Sequence, residues 1–175
     1  MLSVLMDCGS DDRQLAASLA TLIPGAVEGV VREVVLVDRG MGSAARKVAD
    51  HAGCRVIAAE EFRVAIETAK GDWLLLMEPG ARLMPGWIGA VTDHGEDVAR
   101  GTAKIATARF RRARMDRPSF LQRFRQIRTA LAEGFLVQKP QAIGLSRLAF
   151  NLEEVAKGVA VERLAVEIRP ALRTK

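Results

Sequence analysis

The chain has 175 residues, 49% of them hydrophobic and 27% charged, which suits one soluble domain, residues 1–175, with an apolar core of its own. No run approaches the roughly 18 consecutive apolar residues of a membrane-spanning helix, and Cys8 and Cys54 have no metal-site spacing, so reduced, buried thiols are expected. The net charge of +5 conceals a local excess: Arg109 to Arg128 carries eight arginines against one acid, Asp116, so the rest of the chain sums to −2.

The opening Met-Leu-Ser-Val-Leu-Met lacks a basic region and a small-residue cleavage site. No signal peptide is expected, and the cytoplasm is the expected compartment. Val4 to Met6 reads as a strand ending in a polar loop. Asp11 to Ile23 follows with Leu15, Leu19, Leu22 and Ile23 at helical spacing, and Pro24-Gly25 is the expected stop. Val34 to Val37 is a β-branched strand closed by Asp38-Arg39-Gly40. Ser43 to Ala52 reads as a helix ended by Gly53, Arg55 to Ala58 as a strand, and Glu60 to Lys70 as a helix ended by Gly71. Trp73 to Met77 is apolar without alternation, the pattern of a strand buried on both faces. Pro85 to Val91 suits a helix with Pro85 in its first turn.

Strands alternating with helices predict an α/β fold, a Rossmann-like, mostly parallel central sheet with helices on both faces. Ligands of such sheets bind beyond the carboxyl ends of the strands. Those ends are Asp7-Cys8-Gly9, Asp38-Arg39-Gly40, Ala58-Ala59-Glu60 and Glu78-Pro79-Gly80, so acids and glycines are expected along one edge. The second half is less regular. Asp97 to Ala108 reads as an extended strand, Arg117 to Phe135 as an amphipathic helix and Ala142 to Leu145 as a short strand. Leu148 to Ala156 reads as a helix, and Val161 to Ile168 as a final strand. His51 and His94 have no partner spacing, and Trp73 and Trp87 read as packing residues.

Several segments, in order, carry a resemblance. They are Ser3-Val4-Leu5-Met6, Glu33-Val34-Val35-Leu36-Val37-Asp38-Arg39-Gly40, Gly71-Asp72-Trp73-Leu74-Leu75-Leu76-Met77-Glu78-Pro79-Gly80-Ala81-Arg82-Leu83, and Pro85-Gly86-Trp87. Over roughly residues 2–91 the chain resembles family 2 glycosyltransferases. The resemblance implies a GT-A fold, with a nucleotide-sugar-binding half (1–91) and an acceptor-side half (92–175). It implies a sugar moved, with inversion, from a nucleotide-sugar donor to a hydroxyl acceptor, which in many relatives is lipid-linked.

Carried over by position, Asp38 matches the first acid of the family's D-D-G-S, which contacts the nucleoside, and Gly40 matches its glycine. Asp7 stands near the loop that faces the base. Glu78 stands at the first acid of the D-x-D motif, whose last acid ligates Mg²⁺ or Mn²⁺. Here that last position is Gly80, so the motif is degenerate, and Arg39 replaces the second acid of D-D-G-S. The metal neutralises the departing diphosphate. Glu78 remains as a lone ligand, and Arg39 or Arg82 is a candidate for part of the metal's work, because guanidinium binds phosphate in a bidentate way. Glu153-Glu154 is the candidate acceptor-side base, with Glu96-Asp97 as an alternative.

In the arginine segment, Phe120, Leu121, Phe124, Ile127 and Leu131 fall on one helical face flanked by Arg123 and Arg128. That pattern suits a helix packed on the sheet, or one lying in an anionic membrane interface at the inner face of a membrane. Nucleic acid is the least expected partner, since the chain has no Tyr and no recognised nucleic-acid motif. Three readings stand side by side: a glycosyltransferase, a catalytically degenerate GT-A module that binds nucleotide or a partner without turnover, and a peripheral membrane or polyanion binder.

Overall fold

The computed structural model describes residues 1–113 and 129–171. The first half runs β1 (Leu2–Cys8), α1 (Asp12–Val27), β2 (Val31–Asp38), α2 (Ser43–His51), β3 (Arg55–Ala58), a 3-10 turn (Ala59–Glu61), α3 (Phe62–Glu67), β4 (Trp73–Leu76), β5 (Arg82–Leu83) and α4 (Trp87–Ala99). The second runs β6 (Ala108–Arg112), β7 (Phe135–Gln138), α5 (Lys139–Ser146), α6 (Leu152–Ala156) and β8 (Glu162–Arg169). The strands form one sheet in the order β3-β2-β1-β4-β7-β6-β8-β5. The first four are parallel, as the continuous apolar runs predict. Beyond β4 the sheet is mixed: β7 is antiparallel to β4 and β6, β8 is parallel to β6, and β5 is antiparallel to β8. β5 follows β4 after the short link Met77–Ala81, yet lies at the far end of the sheet, so the sheet curls to bring that end back.

Apolar side chains cover both faces. Leu75 and Met77 face a cluster with Leu15, Leu22, Trp87, Phe110 and Ile168, while Leu74 and Leu76 face Phe62, Ile66, Phe135, Val137 and Leu152. This is the two-sided burial that the unalternating run 73–77 predicts.

Helix α1 does not stop at Pro24-Gly25 but continues to Val27. Pro24 falls in the last turns, where its fixed φ is helical, and Glu28 N–H still donates to the Pro24 carbonyl at 2.9 Å. Gly25 is there for space: a Cβ would stand 2.6 Å from Trp87 Cη2. At the opposite edge from the strand tips, a Cβ on Gly71 would stand 2.5 Å from the Ser3 backbone nitrogen. Gly71 N–H donates to Ser3 Oγ (2.9 Å), which donates to Glu33 Oε1 (2.9 Å), and Lys70 N–H donates to the same carboxylate (2.6 Å).

The second half departs from expectation at several places. Asp97–Ala108 is not a strand: its first residues finish α4, and pairing begins only at Ala108. Glu96 and Asp97 therefore sit on a helix, paired with Arg100. Ala142–Leu145 belongs to α5, which has a proline in its first turn, Pro140. The helix expected over 117–135 lies mostly outside the described residues; its end is a turn through Gly134 (φ +63°) into β7. Helix α6 is shorter than Leu148–Ala156 and starts at Leu152 behind the cap Asn151. No helix among the described residues is long and apolar enough to cross a membrane.

Candidate functional site

Pairing register puts the expected acids on one edge. Cys8 is opposite Asp38, Leu5 is opposite Leu76, and Met77 N–H donates to the Leu5 carbonyl at 3.1 Å. The tips of β1, β2 and β4 therefore end together. Between the β1 and β4 tips lies a cleft of about 380 Å³, lined by the acids Asp7, Asp11, Glu78 and Glu153, with Ser10, Gln14, Leu131 and Ala171 around them. Three residues singled out in the sequence, Asp7, Glu78 and Glu153, line it together, although Glu153 comes from the second half of the chain.

Asp38, Arg39 and Gly40 stand on the same edge but not in the cleft. Asp38 Oδ1 accepts the N–H groups of Gly40 (2.9 Å) and Met41 (2.7 Å), and Oδ2 accepts from Arg46. These backbone bonds, and then the Arg46 charge, hold its carboxyl below the usual range. The carboxylate builds its own turn, and Gly40 at φ +99° is the residue that turn requires. Arg39 Nε donates to Asp7 Oδ1 at 3.1 Å, and its Nη2 donates to the Phe150 carbonyl at 3.1 Å. Asp7 Oδ2 accepts Leu152 N–H at 3.0 Å. Arg39 and Asp7 thus tie the β1 and β2 tips to the start of α6.

The turn after β4 is built around a glycine. Gly80 has φ +92°, a region side chains rarely enter, and a Cβ there would stand 2.8 Å from Gln14 Oε1 and 2.9 Å from Ala171 Cβ. Buried Ser18 on α1 fixes the turn: its Oγ donates to the Ala81 carbonyl (2.7 Å) and accepts Gly80 N–H (2.8 Å). Position 80 is thus a glycine turn backed by neighbouring side chains. Glu78 accepts from Thr129 Oγ1. Among the described residues no three His, Cys, Asp or Glu side chains are grouped to hold a metal. A divalent-metal centre wants several oxygen ligands converging on one point, and Glu78 is the acid that this turn offers. Arg82 starts β5 opposite Arg169 and does not line the cleft.

Glu153 and Glu154 part company. Glu153 lines the cleft, and its Oε1 accepts Ala130 N–H at 3.3 Å. Glu154 is spent on the helix start: its Oε2 accepts Phe150 N–H (2.8 Å) while its own N–H donates to Asn151 Oδ1 (2.9 Å). Asp11, absent from the sequence candidates, lines the cleft as the N-cap of α1, accepting Gln14 N–H at 2.9 Å. Its signal is an acid just before the first periodic leucine. Thr129 has no comparable signal, since only the fold brings it to Glu78. Cys8 also faces the cleft. Burial, then the Asp7 charge, pushes its thiol up to about 12, which favours the protonated form. Arg109 is drawn inward: its Nη2 donates to the Ala156 carbonyl at 2.6 Å and its guanidinium lies over Phe135. Burial, then the charge of Arg163, lowers its pKa. Arg123 and Arg128 lie outside the described residues.

No family model and no curated protein matches the chain. Among solved structures it is similar to glucosyl-3-phosphoglycerate synthase of Mycobacterium tuberculosis, at 12% identity and TM-score 0.60 over 100% of this chain and 73% of that one. It is similar to the same enzyme in complex with Mn²⁺, UDP and glucosyl-3-phosphoglycerate, at 13% identity and TM-score 0.57 over 99% of this chain and 73% of that one. A structure described as a mycobacterial protein matches at 14% identity and TM-score 0.60 over 99% of this chain and 68% of that one. The chain therefore has the α/β, Rossmann-like fold of GT-A-type glycosyltransferases.

Proposed function

We propose that the chain is a glycosyltransferase-like protein that takes a nucleotide sugar at the cleft between the β1 and β4 tips, with Glu153 as the acceptor-side base. The observation that carries this reading is the convergence of Asp7, Glu78 and Glu153 on one cleft at the carboxyl edge of a GT-A sheet. In the reaction, Glu153 takes the proton of the acceptor hydroxyl as its oxygen bonds to the anomeric carbon from the far side. The bond from that carbon to the diphosphate breaks, the electron pair leaves with the diphosphate, and configuration inverts. The neighbouring structures include a UDP complex and one holding Mn²⁺ and UDP, and they support a nucleoside diphosphate as the donor's leaving group. The acceptor is a hydroxyl compound, lipid-linked in the reading that the arginine segment favours.

A second reading has its own support. Gly80 provides no side-chain ligand for a metal that would neutralise a leaving diphosphate, which bears on turnover more than on binding. A GT-A module that binds nucleotide or a partner without turnover fits that arrangement. Titration calorimetry with UDP, with and without MnCl₂, together with release of UDP from UDP-glucose, separates the readings. Transfer that disappears in Glu153→Gln with nucleotide affinity retained supports the enzyme; metal-independent affinity without turnover supports the binding module. No heat at millimolar UDP under either condition removes the donor site altogether.

A further inference from the structure

The segment between α5 and α6 combines tight backbone fixation with two large apolar side chains that point into solvent. Leu148 is 91% exposed and Phe150 is 74% exposed. A loop free to relax would fold such side chains against the surface. This one is held through its backbone. Arg63 Nε donates to the Ser146 carbonyl (3.0 Å), and its Nη2 donates to the Ala149 carbonyl (2.7 Å). Ala149 N–H donates to the Ser146 carbonyl (3.2 Å), Arg39 to the Phe150 carbonyl and Phe150 N–H to Glu154. Phe62, packed in the core, lies under both guanidiniums, 5.9 Å from Arg39 and 5.5 Å from Arg63.

We propose that Leu148 and Phe150 form a rigid wedge that inserts into the interfacial region of an anionic lipid surface, independently of the arginine segment 109–128. Two observations favour lipid over another occupant. The apolar groups protrude from a loop instead of lining a groove, so lipid can close around them without a complementary partner surface. Their charged surroundings also match. Arg147 is exposed and is not ion-paired with a carboxylate among the described residues. Its charge is available to headgroups while its stem adds apolar contact. The wedge leads directly into α6, whose second residue is Glu153 at the cleft.

The test uses the full chain, its Leu148→Ser/Phe150→Ser variant and its Phe150→Trp variant, with vesicles of phosphatidylcholine alone or with phosphatidylglycerol. Both serine changes are at exposed positions, so the melting temperature should hold and the arginine segment is untouched. The wild type is expected to co-sediment with the anionic vesicles, and the double variant to lose about tenfold or more in partitioning, from two large apolar side chains kept in water. Brominated acyl chains are expected to quench the added indole emission of the Phe150→Trp variant. Wild-type sedimentation that the double change leaves unaltered, or no vesicle association at all, overturns the proposal. So does a concentration-dependent dimer abolished by the same change, which would assign the wedge to a second copy of the chain.

Discussion

Replacing Gly80 by Asp supplies the acid that the resembled motif carries at this place, and it is expected to cost stability without creating a metal site. A side chain forced to φ +92° loses about 1–2 kcal/mol relative to glycine. Its Cβ also stands 2.8 Å from Gln14 Oε1 and 2.9 Å from Ala171 Cβ. Gln14 can swing its end away, but the Ala171 methyl moves only with the backbone, which adds about 1–2 kcal/mol. The sum, about 2–4 kcal/mol, lowers the melting temperature by about 5–15 °C for a chain of this size. Thermal unfolding followed by circular dichroism measures the shift, Gly80→Ala separates the backbone part from the carboxylate, and calorimetry with MnCl₂ reads metal binding. A Gly80→Asp variant as stable as the parent that binds Mn²⁺ at micromolar concentration would refute the reasoning.

Gly71→Ala is expected to be more damaging, since its Cβ meets backbone atoms of Leu2 and Ser3 at 2.7 and 2.5 Å that have nowhere to go; a loss of about 3 kcal/mol or more, or no folded protein on expression, is the outcome to look for. Ser18→Ala leaves Gly80 N–H and the Ala81 carbonyl without their partner, which should cost about 1–3 kcal/mol in urea unfolding. Burial raises the Cys8 thiol to about 12 and the Cys54 thiol to about 11, from ordinary values near 9.0. The unfolded chain therefore loses these protons first, and stability present below about pH 9 should decline as pH rises towards 12. A thiol reagent at mildly alkaline pH should label neither cysteine until the protein is unfolded. Asp38 works in the opposite sense: its lowered pKa gives stability that is present above the ordinary carboxylate range and lost in more acid solution, and Asp38→Asn should flatten that acid limb.

The parallel half is legible because β1, β2 and β4 are buried on both faces and carry uninterrupted apolar runs, and because each run ends on an acid or glycine that marks the tip. Glu78 and Glu153 are reachable by position and pairing, but nothing in the sequence separates Glu153 from Glu154. Which of two adjacent acids caps a helix and which faces a cleft depends on where Asn151 starts the turn. The same limit applies to Asp38, whose side chain is consumed by its own loop. In the second half, β7 is hidden because Phe135 continues the apolar spacing of the preceding residues, and only the left-handed Gly134 breaks the run. Helix α5 resembles a strand because Ala142 to Leu145 is apolar over a strand's length, and a short apolar run does not distinguish the two states.

The placement of β5 bears on how the molecule can be divided. β4 needs β7 as its outer neighbour and β5 needs β8, and both neighbours come from beyond residue 91. A fragment ending at 91 would keep the acids at the tips of β1, β2 and β4. It would also leave two strand edges bare and the Leu75–Met77 side of the core without Phe110 and Ile168. Such a piece is expected to associate through those edges rather than stand alone. Early and late segments are stitched into one sheet, and the turn that Ser18 fixes has Ala171, just past the last strand, as its neighbour.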